Sequence, residues 1–279
     1  MTLRQALLLA RQTIACINDV ENPSLESEIL LRYALKISRA QLLLDIDKEL
    51  SPAIEVIFRK WIERRLNEEP IAYIIGCREF FGLDFYVDKR VLIPRPETET
   101  IIEESIRFSH THHVTSIADI GTGSGAIAIS LAVNLPQSHI YATDISGAAL
   151  EVARINCQKH NMSDRITLLQ GDLLHPLPQP VDILVANLPY VNKEDVARMP
   201  SAKYEPVLAL DGGKNGLDKI IRISSQLKNR VNSSGCMLFE IGKGQSKAVF
   251  DLMFGQFPSS VIEIISDLAG IERVVKILL

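Results

Sequence analysis

Basic charge is scarce in this sequence: 30 Lys and Arg stand against 34 Asp and Glu, leaving the 279-residue chain at a formal net charge of −4. Tight binding to a naked duplex depends on neutralising phosphates with Lys and Arg, so that class of function is disfavoured. A protein or small-molecule partner is expected, with no direct nucleic-acid binding. The one local basic run, Arg59-Lys60 to Arg64-Arg65, reads as the solvated face of a helix. Cysteine is equally sparse. Cys16, Cys77, Cys157 and Cys236 form no C-x-x-C pair, so neither a zinc site nor a disulfide framework is indicated, and they read as small buried hydrophobes. His110, His112 and His113 cluster without an acidic or cysteine partner at ligand spacing, and no metal is expected. Long apolar runs are also missing. The stretch Ala6 to Ala10 stops at Arg11, well short of a signal-peptide core or a membrane span, which predicts a cytoplasmic protein with no membrane partner. No internal repeat or low-complexity segment occurs.

What is present is a substantial hydrophobic content, 47%, in a length that suits one ordinary domain and a smaller one. The first seventy residues read as short helices whose starts have physical causes. Thr2 with Gln5, and Ser38 with Gln41, match the capping-box spacing. Asn22-Pro23 and Ser51-Pro52 place a capping side chain before a proline suited to the first helical turn. Ile54, Ile57, Phe58, Trp61 and Leu66 recur at helical spacing and predict one apolar core stripe. From Glu79 to Pro96 the pattern becomes strand-like, over residues 80–87 and 91–93, with Asp88-Lys89-Arg90 between them. This predicts a hairpin joining two domains. Beyond it, strands near 115–120, 139–144, 166–170, 181–186 and 236–241 alternate with helical stretches, the pattern of an α/β fold with a mostly parallel sheet covered on both faces. Two last strands, near 261–266 and 272–279, flank Asp267-Leu268-Ala269-Gly270 and predict an antiparallel pair at the sheet edge.

The chemistry gathers at strand ends, where open α/β sheets place their ligands. Ile117 to Ile120 run into Gly121-Thr122-Gly123-Ser124-Gly125, a turn in which glycines let the backbone approach a ligand closely before a helix opens at Ala126. The glycines fall at every second position and not as G-x-G-x-x-G, so a dinucleotide is not specified. Asp144 ends the next strand, where a carboxylate can accept from both hydroxyls of a ribose. Asp172 follows the strand after that and suits an adenine amino group, with Leu173 against the ring. For Asp172 alone, a loop-capping carboxylate explains the residue equally well. Strands ending in turn in Gly, Asp, Asp and Asn predict a nucleoside-containing cofactor.

The last of these ends, Asn187-Leu188-Pro189-Tyr190, offers a side-chain carbonyl, a free backbone carbonyl and an aromatic ring. An amide or exocyclic amine is a poor nucleophile because its lone pair is delocalised. A site for it should hold both N–H groups with acceptors and leave catalysis to positioning. The Asn187 side-chain oxygen and the Leu188 main-chain oxygen are the candidate acceptors, and Tyr190 would stack on the planar target. No general base is evident.

These motifs resemble those of S-adenosylmethionine-dependent methyltransferases that modify amino groups on planar systems, with the signature Asn-Pro-Pro-Tyr. The chain more closely resembles their HemK/PrmC branch, the release-factor glutamine N5-methyltransferases. The resemblance runs through residues 69–76, Leu92-Ile93-Pro94-Arg95-Pro96-Glu97-Thr98-Glu99, residues 119–125, Tyr204-Glu205-Pro206 with Ala209-Leu210, and residues 267–270 with Arg273-Val274-Val275. It implies a helical substrate-recognition domain (1–76), a β-hairpin linker (77–98) and a seven-stranded, mostly parallel Rossmann-like methyltransferase domain (99–279). The implied cofactor is S-adenosyl-L-methionine, with S-adenosyl-L-homocysteine as product. The implied partner is a class 1 peptide-chain release factor, methylated by a monomeric enzyme on the glutamine of its Gly-Gly-Gln motif. By motif matching, Gly121, Thr122, Gly123, Ser124, Gly125, Asp144, Asp172, Leu173 and Asn187 would contact the cofactor. Asn187, Leu188, Pro189 and Tyr190 would hold the glutamine.

The family's first signature proline is Leu188 here. Its carbonyl remains, and Pro189 still biases residue 188 toward an extended conformation, but the φ restraint at 188 is lost. Leu173 stands where some relatives carry an aromatic. Two other readings stay open on the residues alone: a methyltransferase acting on exocyclic amines of nucleic acid, and a non-enzymatic binding module of the same fold.

Overall fold

Four polar side chains start the first helices. Thr2 caps α1 (Leu3–Ile14) with a complete capping box, Asn22 caps α2 (Pro23–Leu35), Ser38 caps α3 (Arg39–Leu44) and Ser51 caps α4 (Pro52–Leu66). At α3 only half of the expected box forms, because the Gln41 side chain donates to Asp45 instead of turning back to Ser38. A short α5 (Ile71–Ile75) ends at Gly76 in the left-handed region. The computed structural model describes residues 1–17 and 20–279, and the chain divides into two units, Met1–Cys77 and Arg78–Leu279.

The helical unit has its own core of Leu3, Ala6, Ala10, Ile14, Leu30, Leu31, Leu42 and Phe58. The stripe on α4 is narrower than its spacing predicts: Phe58 and Ile62 are buried and Ile54 and Trp61 half-buried, whereas Ile57 and Leu66 are each 42% exposed. Ile62 takes the inward place, since i and i+4 share a face. The three arginines of the basic run on α4 are paired within the same unit. Arg59 pairs with Glu55, Arg65 with Glu26, and Arg64 with Glu69 while also donating to the carbonyls of Tyr73 and Ile74.

The second unit opens with a hairpin, β1 (Cys77–Phe80) and β2 (Leu83–Tyr86), which turns earlier than the sequence pattern suggests. The turn is Phe81-Gly82, with φ of 49° and 72°. Two consecutive left-handed residues make the tight turn whose twist matches paired strands. Asp88-Lys89-Arg90 is no strand connection: Asp88 accepts from the Arg90 N–H and guanidinium and from the Tyr86 hydroxyl. Residues 91–93 form no strand; Pro94 and Pro96, which cannot donate to a ladder, follow directly.

After α6 (Glu99–Ser109) come β3 (Ser116–Ile120), α7 (Ala126–Asn134), β4 (His139–Asp144), α8 (Gly147–Lys159), β5 (Ile166–Gln170), β6 (Val181–Ala186), α9 (Lys193–Val196), α10 (Asp218–Ser224), β7 (Val231–Glu240), α11 (Ser246–Gln256), β8 (Val261–Ser266) and β9 (Glu272–Leu278). The seven strands β3–β9 form one sheet in the order β5-β4-β3-β6-β7-β9-β8, parallel except for β9, which pairs antiparallel with both neighbours. All five residues of β3 are buried. Successive side chains point to opposite faces, so this central strand is covered on both. The last strand pair forms as its short connection requires, around Asp267, which accepts from the Ala269 and Ile271 N–H groups and pairs with Arg273. β7 begins at Val231, five residues before its expected start, and a register shift lies opposite it between Val181 and Ile183.

Strand order, not strand direction, reverses across the middle of this sheet. β3, β4 and β5 step outward on one side, and β6 and β7 on the other. The crevice at the carboxyl ends of β3 and β6 is therefore where an open α/β sheet accepts a ligand.

Candidate active site

A cleft of about 880 Å³, counted out to its open mouth, lies at those strand ends. Gly121, Gly123, Asp144, Asp172, Leu173, Asn187, Leu188 and Pro189 line it together. Four other residues of the two motifs do not reach its surface. Thr122 is buried and donates to Asp119 at 2.6 Å. Ser124 is buried and its carbonyl accepts from Asn156. Gly125 lies against Ala153 on α8. Tyr190 turns away from the lining, and its hydroxyl donates to Glu240 at 3.3 Å.

Gly121 sits at φ +75°, and a Cβ there would stand 3.3 Å from Leu188 Cδ2. The glycine thus admits a neighbouring side chain as well as the sharp turn after β3. Leu188 is 7% exposed and belongs to the sheet core with Ile120, Ala186 and Phe239. Its side chain therefore contributes packing that the sequence comparison of Leu with Pro does not reveal. Leu188→Pro is expected to leave turnover unchanged or raise it by at most about tenfold, since only the φ of residue 188 is newly restrained. It should lower unfolding stability by ~1 kcal/mol through lost side-chain contacts. Steady-state kinetics and denaturant titration check both parts, and a turnover loss beyond tenfold would contradict this account.

Asp144 is held by two backbone donors, Gly123 N–H at 2.9 Å and Ser146 N–H at 2.8 Å. Burial raises its pKa, and those amides partly offset the effect. Each carboxylate oxygen keeps lone pairs for further donors. Thr143, Ile145, Ser146 and Ala149 continue this wall, an apolar and hydroxyl-bearing surface that no sequence motif marks. Asp172 is engaged by Arg222 of α10, and Leu173 adopts φ 51° while its carbonyl accepts from Thr143. A positive φ in a leucine costs free energy, and such residues concentrate at ligand clamps.

Asp119, at the end of β3, is fully buried, and desolvation pushes its pKa up to about 7 against the opposing hydrogen bonds from Thr122 and the Ala128 N–H. Because the folded state binds this proton more tightly than the unfolded chain does, its stabilising contribution is complete below about pH 4 and is lost as pH rises through about 7. Asp119→Asn removes that dependence. The difference in Tm between variant and wild type is expected to shift in favour of the variant as pH goes from about 5 to about 8. A constant difference across that range would show that Asp119 does not titrate there.

Behind Asn187 stand residues with no expected role. The Asn187 Nδ2 donates to Thr98 Oγ1 at 3.0 Å. Nearby, Glu240 accepts from the Tyr190 hydroxyl; burial pushes its carboxyl up to about 7, with Thr98, Tyr190 and Arg273 acting in the opposite direction. Glu205, with a fully buried side chain, accepts from the Ile93 N–H at 3.1 Å and from Arg95 at 2.6 Å. It ties the Leu92–Glu99 segment to the Tyr204-Glu205-Pro206 segment. Gln245 donates to the Tyr190 carbonyl at 3.0 Å. A polar residue at the end of an apolar strand marks Glu240 as it marks Asp119 and Asp144, so Glu240 had a legible signal. Gln245 had none. Among the described residues, no group of His, Cys, Asp and Glu could hold a metal ion. The His112 ring stacks on Phe108 at 4.0 Å.

Residues 5–76 match the family model of the PrmC N-terminal domain, and residues 105–202 match that of the methyltransferase small domain. The chain is 42% identical to the release factor glutamine methyltransferase of Moorella thermoacetica, covering 98% of this chain and 97% of the relative. It is 39% identical to that of Geobacter sulfurreducens, covering 98% and 95%. Among solved structures, the hMettl16 catalytic domain in complex with a MAT2A 3′UTR hairpin aligns with a TM-score of 0.57 at 19% identity, over 82% of each chain, a likeness of fold. With both family models matched, the relatives aligned from end to end and the methyltransferase sheet in place, this chain belongs to the release factor glutamine methyltransferases.

Proposed function

We propose that this protein transfers a methyl group from S-adenosyl-L-methionine to the side-chain amide nitrogen of the glutamine in the Gly-Gly-Gln motif of class 1 peptide-chain release factors. The observation that carries this reading is the meeting, in one cleft, of the glycine turn, Asp144 and the Asn187-Leu188-Pro189 segment. The donor set suits the cofactor: a carboxylate at Asp144 for the ribose, the Asp172–Leu173 corner for the base, and an open glycine backbone at Gly121 and Gly123 for the remainder. When bound, the cofactor supplies an electrophilic methyl group.

The chain's own residues would do the rest by positioning. Asn187 Oδ1 and the Leu188 carbonyl accept the two N–H groups of the glutamine amide and so fix the plane of its nitrogen, leaving the face of that plane directed into the cleft. The delocalised lone pair lies perpendicular to the plane, so fixing the plane aims the lone pair. Both acceptors also stabilise positive charge as it develops on nitrogen. The helical unit, with Leu43, Leu44 and Val56 each more than 60% exposed, would provide the surface that recognises the release factor.

Incubation of the protein with the cofactor and a purified class 1 release factor, followed by mass-spectrometric mapping, is expected to find one added methyl on the Gly-Gly-Gln glutamine. Methyl transfer into RNA with the release factor unmodified would overturn the proposal.

A further inference from the structure

The backbone that follows the Leu188 carbonyl is seated from two sides. On one stands Gln245, in the turn between β7 and α11, whose Nε2 meets three carbonyl oxygens: Tyr190 at 3.0 Å, Asn215 at 3.3 Å and Gly216 at 3.4 Å. Its Oε1 accepts the Gly242 N–H at 2.8 Å. Three acceptors on one side and a donor on the other fix which end of the amide points where. On the second side runs the loop before α10. The Val191 N–H donates to the Leu210 carbonyl at 3.1 Å, and the Val191 carbonyl accepts from the Gly212 N–H at 2.8 Å. Gly212 has no positive φ, so its conformation does not call for glycine. Space does, because a Cβ there would stand 2.6 Å from the Pro189 carbonyl oxygen. A Cβ on Gly216 would collide with the Tyr190 carbonyl oxygen.

The Leu188 carbonyl lies in the peptide plane that joins residues 188 and 189. Approached from Leu188, the direction of that plane depends on the φ and ψ of a residue with no ring to restrain its φ. Approached from the other side, it depends on the φ and ψ of Pro189. The pyrrolidine ring fixes that φ, and ψ has no freedom once the Pro189 and Tyr190 carbonyls are both seated. The Pro189 carbonyl is seated by close packing against Gly212, and the Tyr190 carbonyl by Gln245. We infer that Gln245 is a positioning residue that sets the direction of the Leu188 carbonyl through the Pro189–Tyr190 backbone. It supplies from tertiary structure the restraint that a proline at position 188 would supply locally. The inference rests on the proposed role of the Leu188 carbonyl as an acceptor of the glutamine N–H.

Gln245→Met keeps the length of the side chain and removes its donor and acceptor. Its kcat on a purified class 1 release factor is expected to fall about tenfold or more, with cofactor Kd unchanged, because the acceptor is displaced while the cofactor wall is not. The same substitution made in the Leu188→Pro background should cost less than about threefold, since the ring then restrains the acceptor from its other side. A residue that only stabilises the fold would cost the same in both backgrounds. Gln245→Met with kcat within twofold of wild type, an equal loss in the two backgrounds, or a loss of turnover matched by a loss of cofactor affinity would each overturn the inference. Wild-type protein assayed alongside separates the two levels. If wild type methylates the glutamine and Gln245→Met does so equally fast, the positioning role falls and the acceptor reading stands. If wild type leaves the glutamine unmethylated, the acceptor reading falls and takes the positioning role with it.

Discussion

Asn187→Ala is expected to abolish methyl transfer while leaving cofactor affinity within about threefold of wild type. The side chain lines the cleft at the end of β6, with its Nδ2 committed to Thr98, so the atom it offers to a ligand is the oxygen. Removing it costs the reacting amide one of two acceptors and part of the charge stabilisation that develops with the transfer. Loss of a single preorganised group of this kind lowers turnover by roughly 100–1000-fold. Because the interaction is made to the reacting group, the loss should appear in kcat and kcat/KM together and not in cofactor binding. Single-turnover kinetics with labelled cofactor, set beside calorimetric titration, measure the two separately. Wild-type turnover in the variant would refute the role of Asn187.

Asp144→Ala should act in the opposite sense, weakening cofactor binding by ~1.5–3 kcal/mol through loss of charge-assisted hydrogen bonds, with a smaller effect on turnover at saturation. The carboxylate receives backbone N–H groups from Gly123 and Ser146, so its removal also frees the glycine turn after β3 from the start of α8. Part of the loss should therefore be recovered by Asp144→Asn, which keeps one acceptor for those amides. Unchanged cofactor affinity of Asp144→Ala in calorimetry would show that Asp144 does not bind the ribose.

Elements with strong local causes were legible in the chain. Thr2, Asn22, Ser38 and Ser51 each satisfy amides that lie within three residues of them, and such short-range bonds depend little on what packs nearby. The parallel strands were legible because burial on both faces leaves mostly apolar runs, as in Ser116–Ile120, broken only by Ser116 and Asp119, and Val181–Ala186, broken only by Asp182. The hairpin was misplaced because its turn uses Phe81, a residue that does not advertise a left-handed conformation, while Asp88-Lys89-Arg90 carries turn chemistry without reversing paired strands. Ile57 and Leu66 were assigned inward because helical spacing fixes which residues share a face and not how wide a face the neighbours cover.

The amino-acid sequence by itself determined which strand ends line the cleft, with glycine, aspartate and asparagine after apolar strands, and the motifs that identify the family. Those features are contiguous, and their meaning follows from strand and turn geometry alone. Only the tertiary structure decided which residues stand behind them. Thr98, Glu205, Glu240 and Gln245 reach the Asn187–Tyr190 segment, or the proline-rich segment beside it, across 30 or more residues of chain from their partners. It also decided that Tyr190 faces Glu240 and not the cleft lining, that Leu188 packs into the core beside Gly121, and that β9 lies between β7 and β8. Each is a matter of which buried polar or apolar group meets which partner once the sheet is assembled, and burial makes that choice costly to leave unsatisfied although no local pattern encodes it.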